Sequence, residues 1–245
     1  DGDVLTVSSV IVNGVESTLI NGEISVPLTG IGTLVVKSNG DFTFTPDANY
    51  FGEITGLTYK VSDGKGGEDV KSLSIKVNSV NDSPVAYSNA YSADEENAIV
   101  GNVLTDANAS SEVDSDVEND AFSLTGFSVN GQDYVAGTTA TLEGIGTLVM
   151  AGDGGFTFTP VKDYNGTVPQ VTYRIKDVNN GEGSSTLDLT INAINDAPVA
   201  TVDNKEVEED TQLTGNVLAN DSDVDGDVLT VSSVIVNGVE STLIN

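Results

Sequence analysis

DGDVLTVSSVIVNGVESTLIN runs from Asp1 to Asn21 and recurs without a single change from Asp225 to Asn245, an offset of 224. Val4, Thr6 and Ser8 alternate in it with Leu5 and Val7, the period of two that places successive side chains on opposite faces of a strand. Asn13-Gly14 follows, and both residues tolerate the positive φ that a two-residue hairpin turn requires. A duplicated hairpin is the mark of a repeat protein, and a looser match fills the space between the copies. GIGTLVV and GDFTFTP (Gly30 to Pro46) answer GIGTLVM and GGFTFTP (Gly144 to Pro160), 114 residues on. In the same register LTYKVSDGKGG (Leu57 to Gly67) answers VTYRIKDVNNG (Val171 to Gly181), and NSVNDSPVA (Asn78 to Ala86) answers NAINDAPVA (Asn192 to Ala200).

The unit is therefore about 110 residues, of the size of one small domain. Pro84 and Pro198 break strands and stiffen linkers, so they mark the boundaries. Residues 1–83 read as a domain lacking its first two strands, 84–197 as a complete domain, and 198–245 as the opening part of a third. In the complete unit, strands are expected at Val85–Ala93, Ile99–Leu104, Phe122–Val129, Ala140–Leu142, Thr147–Met150 and Phe156–Thr159. A hairpin of Val171–Lys176 with Ser185–Asn192 closes it. About seven short antiparallel strands per unit and no helical periodicity predict an all-β chain of tandem immunoglobulin-like sandwiches. The missing and surplus strands leave two readings of the ends. Either another copy completes the first domain, or the chain is a window on a longer array, which the surplus copy of the hairpin favours.

The 245 residues hold 38 Asp+Glu against 9 Lys+Arg, a formal charge of -29, which argues against nucleic-acid and anionic-membrane binding. With neither His nor Cys, the chain has no Ser-His or Cys-His pair, no thiolate metal site and no disulfide. No apolar run approaches the ~18 residues of a membrane span, and Asp1 opens without a basic-then-apolar leader, as expected of a soluble fragment of something longer. Without Trp and with dispersed Tyr, no aromatic platform for sugar stacking is evident. The plentiful carboxylate pairs that glycoside hydrolysis would need fall in loops better suited to metal, so catalysis is not expected.

Those acids are not spread evenly. Asn220-Asp221-Ser222-Asp223-Val224-Asp225-Gly226-Asp227 sets an Asp at every second position of one loop. Its longer counterpart carries Asp106, Glu112, Asp114, Asp116, Glu118 and Asp120. Alternating Asp in a Gly-containing loop can turn several oxygens on one point, as a hard cation with 6–8 oxygen ligands demands; otherwise like charges oppose the arrangement. The loop is no EF-hand, since Ser232 stands twelfth from Asp221 and strands flank it, nor a nonapeptide β-roll, since GDGG and GKGG do not iterate. In a seven-strand sandwich the loop between strands two and three and the loop between strands six and seven share one end with the incoming linker. For the middle unit that gathers Asn81 and Asp82, Asp114, Asp116, Glu118 and Asp120, and Asp177. Asp94-Glu95-Glu96 lies at the other end, facing the next linker.

The NDAP linker (Asn195 to Pro198), the Glu pair after the first strand, the alternating Asp loop and SDGKGG (Ser62 to Gly67) together resemble the cadherin-like, VCBS-type tandem repeats of giant RTX adhesins, which bacteria secrete through type I systems. The resemblance covers essentially the whole chain. It implies Ca²⁺ at domain junctions, stiffening an extracellular, cell-surface extender whose partners are the adjacent repeats of the same protein. Carried over, the ligands at the second junction are Glu95 and Glu96, Asn195 and Asp196, and Asp221, Asp223, Asp225 and Asp227; Asp1, Asp3 and Asp63 are the corresponding acids of the first repeat. The cadherin acid pair between strands five and six has no clear match, although Asp163 and Asp47 lie near that place. A glycan-binding sandwich and a self-assembling filament, built by strand complementation between copies of the chain, are the competing functions.

Overall fold

A computed structural model describes residues 2–242, in two compact units: Asp1–Ser83 with Asp116–Ala121 and Val178–Gly181, and Pro84–Ser115 with Phe122–Asp177 and Glu182–Asn245. The described residues contain no α-helix.

The first unit is built from β1 (Thr6–Val12), β2 (Val15–Thr18), β3 (Glu23–Leu28), β4 (Gly32–Lys37), β5 (Phe42–Pro46), β6 (Gly52–Ser62) and β7 (Glu68–Val77). Two antiparallel sheets, ordered β2-β1-β6-β7 and β3-β4-β5, supply the apolar residues Val10, Leu34, Ile54 and Leu57 to one core. The expected turn is present: Asn13 and Gly14 have φ of 49° and 84°, and four residue pairs close the β1–β2 hairpin behind them.

The second unit continues with β8 (Asn89–Asp94), β9 (Ile99–Asn102), β10 (Phe122–Val129), β11 (Gln132–Val135), β12 (Thr139–Leu142), β13 (Gly146–Met150), β14 (Gly155–Pro160), β15 (Gly166–Thr167), β16 (Val171–Asp177) and β17 (Glu182–Asn192). One sheet runs β11-β10-β16-β17-β15 with β8 added on β17, and the other β12-β13-β14-β9. Between them Phe127, Leu148, Phe158, Tyr173 and Leu187 are wholly buried, each such side chain contributing roughly 1.5–3 kcal/mol. The expected strands are present, with three corrections. β8 pairs with β17 in parallel rather than antiparallel, a contact across about a hundred residues that local pattern does not reveal. It starts at Asn89 instead of Val85, because Val85 is tied to Ser115 and the Tyr87 N–H to Asp114, outside the sheet. β11 and β15 are short, mostly exposed additions to a sheet edge.

Beyond Pro198 the described strands are β18 (Ser233–Val236) and β19 (Val239–Thr242), which repeat the β1–β2 hairpin pair for pair. Val199–Leu218, expected to form two strands, forms none. The cause lies in the pairing: β8 rests on β17 and β9 on β14, and the third repeat has no equivalent of β14 or β17 within the 245 residues.

Candidate metal centre

A short backbone bridge fixes the geometry after the second linker. Val199 and Ser222 exchange N–H···O bonds of 2.8 and 3.1 Å, drawing the linker alongside the Asp loop. The Thr201 N–H then donates to Asp221 Oδ1 at 2.8 Å, and the Asp196 N–H to Asp225 Oδ2 at 2.7 Å. Asp223 organises the loop from within, its Oδ1 accepting the N–H groups of Asp225 (3.0 Å) and Asp227 (3.3 Å) while Gly226 takes a φ of 80°. From the other side comes Glu95, a carboxylate only 5% exposed, whose Oε1 accepts the Ile194 N–H at 2.5 Å. Three separate segments thus bring one oxygen each of Glu95, Asp196 and Asp225 within 4.8 Å of one another. Oxygens bound to one Ca²⁺ at 2.3–2.6 Å stand at most about 5 Å apart, so an all-carboxylate group of this span suits a hard cation.

The loop of the middle repeat has the same internal wiring. Asp114 Oδ1 accepts the Tyr87 N–H at 2.7 Å, as Asp221 does from Thr201. Glu118 Oε2 accepts the Asp82 N–H at 3.0 Å, as Asp225 does from Asp196. Asp116 Oδ1 accepts the N–H groups of Glu118 and Asp120, both at 3.0 Å, as Asp223 does from Asp225 and Asp227. Asp120 accepts in turn from Asn179 Nδ2. Asp116 is 8% exposed, and its second oxygen is buried with no hydrogen-bond donor, the condition a bound cation would relieve. Burial pushes the Asp114 carboxyl above the usual carboxylate range, partly offset by the Tyr87 N–H and the Tyr173 hydroxyl. Asp177 is buried as well.

The remaining acids singled out in the sequence are placed less centrally. Asp221, Asp223, Asp227 and Glu96 are outside the three-carboxylate group, and Glu96 lies 3.9 Å from Lys162 Nζ. Asn195 donates to the Asp196 carbonyl at 2.8 Å. Asp3 pairs with Lys65, and Asp63 accepts the N–H groups of Lys65 and Gly67, which hold its carboxyl below the usual range. Asn81 has polar partners of its own, and Asp1 lies outside the described residues. Asp106 bonds to the Tyr91 hydroxyl and Asn102 N–H, and Glu112 to Asn108, so both serve local structure. Sequence reasoning missed Lys162. Its ammonium bonds Asp163 at 2.5 Å, and that hydrogen bond, aided by the charges of Asp163, Glu96 and Asp196, pushes its pKa up. The signal was its position: a lone cation in a loop whose other charges are acids.

Successive parts of the chain are similar to known domain families. A bacterial cadherin-like domain matches residues 81–193, a cadherin-like domain residues 1–78, and a bacterial Ig domain residues 195–245. Among solved structures, repeats EC21-23 of human CDH23 share 14% identity over 91% of this chain and 69% of theirs, with a TM-score of 0.51. Mouse cadherin-23 repeats EC22-24 share 18% over 73% of this chain, with a TM-score of 0.43. The chain spans 56% of the length of that mouse fragment. No curated protein matches. The fold is the all-β, cadherin- and Ig-like one.

Proposed function

We propose that this chain is a structural extender segment of a bacterial cell-surface adhesin, made of three successive cadherin-like repeats (1–83, 84–197 and 198–245) and rigidified by Ca²⁺ at its linkers. The observation that carries this reading is the convergence of Glu95, Asp196 and Asp225 from a strand turn, a linker and the next repeat's loop. A divalent cation held by all three would tie the linker at both of its ends and oppose the repulsion between them. Asp221, Asp223 and Asp227 shape the Asp loop, and Asn195, Glu96 and solvent oxygens complete a coordination shell of the size Ca²⁺ takes. Asp114, Asp116, Glu118 and Asp120 are the matching acids of the middle repeat's loop, Asn81 and Asp82 those of the linker before it, and Asp177 the buried acid at the end of β16, while Asp3 and Asp63 belong to the first repeat's own acidic loops. The resemblance to RTX adhesins favours secretion by a type I system and a role in carrying adhesive domains outward, without catalysis.

Calorimetric titration of the chain with CaCl₂ tests this. Binding that saturates, releases on chelation and loses sites in Asp196→Ala/Asp225→Ala is the expected result. No heat beyond dilution, or an unchanged isotherm in the double variant, would refute it. The variant should keep the native circular dichroism spectrum, since these side chains contribute ligands and not core packing.

A further inference from the structure

Lys162 stands in the loop between β14 and β15, and nothing in the backbone of that loop requires a lysine. The aligned loop of the first repeat, between β5 and β6, reads Asp47-Ala48-Asn49-Tyr50 where the middle repeat has Val161-Lys162-Asp163-Tyr164. The same bonds close both. The Asp47 N–H donates to the Ile31 carbonyl at 3.0 Å and the Tyr50 N–H to the Asp47 carbonyl at 3.2 Å, as Val161 donates to Ile145 at 2.9 Å and Tyr164 to Val161 at 3.2 Å. Asn49 and Asp163 share a positive φ, 61° and 60°. Ala48 thus shapes the same loop without a charge, and the Lys162 side chain, 77% exposed, fills no place in the core. What Lys162 adds is a cation, set among acids. Its ammonium bonds Asp163 Oδ1 at 2.5 Å, lies 3.9 Å from Glu96 Oε1, and also feels the charge of Asp196.

An exposed pair such as Lys162 with Glu96 contributes little to stability, so its effect has to be sought elsewhere. Glu96 stands next to Glu95 in sequence, yet it pairs with Lys162 and stays outside the group of Glu95, Asp196 and Asp225. We propose that Lys162 sets the calcium affinity of this centre: its ammonium holds Glu96 and gives it up when the cation binds, so the site fills at a higher calcium concentration than its carboxylates alone would need. The inference rests on the calcium reading of Glu95, Asp196 and Asp225. Two effects act in the same direction. A fixed ammonium repels an arriving dication, and the recruitment of Glu96 as a further oxygen ligand first breaks an ion pair. Both are electrostatic and close to solvent, so salt weakens both, over a distance of about 8 Å at physiological ionic strength. The first repeat carries no such charge at Ala48, so the device distinguishes one repeat from another without changing a ligand.

Calorimetric titration of the whole chain with CaCl₂, at low and at high ionic strength, tests this on the binding component that Asp196→Ala/Asp225→Ala removes. Lys162→Met keeps the length of the side chain and loses the charge; at low salt it should bind calcium about 3- to 10-fold more tightly, the scale of one unit charge acting on a nearby dication. The gain should shrink at high salt, and Lys162→Arg should keep the wild-type affinity. In a Glu96→Gln background, where the pair is already lost, Lys162→Met should gain distinctly less. In chelator Lys162→Met should melt no higher than the wild type, since it removes a positive charge from among acids. An affinity unchanged or weakened by Lys162→Met, or a gain that ignores both salt and Glu96→Gln, overturns the proposal. Calcium binding by the wild type with no response to Lys162→Met refutes this inference alone, whereas a wild type that binds no calcium at this site refutes the calcium reading and this inference with it.

Discussion

Asp116 and Asp223 divide the labour of a carboxylate between its two oxygens. One oxygen accepts two backbone N–H groups and so sets the loop's curvature; in Asp116 the other is buried without a donor. Asp116→Asn should keep the curvature, since an amide oxygen accepts the same bonds, and remove the charge. We expect its calcium affinity to fall at least tenfold, and its melting temperature in chelator to be unchanged or higher. Asp116→Ala should in addition lose about 1–3 kcal/mol in chelator, because two N–H groups are left without their acceptor. Thermal melts with and without calcium separate the two effects. Tyr173 offers a second contrast. Its buried hydroxyl shares its one proton between the Tyr87 carbonyl at 2.7 Å and Asp114 Oδ2 at 3.2 Å, so Tyr173→Phe should cost about 1–3 kcal/mol in urea denaturation. The equivalent Tyr59 is half-buried, and Tyr59→Phe should stay within about 0.5 kcal/mol.

Among the elements, the duplicated hairpin separates local from distant causes. Identical residues close identical four-pair ladders in β1–β2 and β18–β19, so the Asn-Gly turn and the alternation suffice for the hairpin. Yet β1 extends back to Thr6 where β6 lies beside it, and β18 starts only at Ser233. Val10 is 2% exposed and its twin Val234 is 46%. The same distinction governs what could be read from sequence. The hairpins and the strands of the middle repeat were legible because turn residues and period-two runs act locally. The parallel partner of β8, and the absence of strands in Val199–Leu218, depend on which strands stand alongside. Gly154 and Gly40 make this measurable: both have positive φ (84° and 92°), but only Gly154 is crowded by β9 and Leu104. Gly40→Ala should cost about 1 kcal/mol for the backbone alone, and Gly154→Ala at least about 1–3 kcal/mol more for the displaced core, both read from chemical denaturation.

For the whole molecule, charge dominates. At -29, with most clustered acids in loops, the folded chain in chelator works against its own repulsion, and a cation that binds only the folded form adds its binding free energy to stability. Calcium at 1,000 times its dissociation constant should add about 4 kcal/mol per site and raise the melting temperature accordingly; equal melts in calcium and chelator would count against the proposed role. Of the candidate site, the Asp loop that holds Asp225 stood out by its alternation, and Asp196 followed from the resemblance of the NDAP linker to cadherin-like repeats. That Glu95, rather than Glu96, joins Asp196 and Asp225 could not be read from sequence, because the choice rests on a positive φ at Glu96 (68°) and on the grip of Ile194 upon Glu95.

The strand-free course of residues 202–217 also sets how this chain meets solvent and proteases. Amides that donate to no protein group exchange their protons without any unfolding step, so under deuterium most of residues 202–217 should label within the earliest time points while β10, β13 and β16 stay protected. Lys205 is its single basic residue, half exposed, in a chain with only 9 Lys+Arg; trypsin should cut there first, releasing the carboxyl-terminal hairpin before either core is touched.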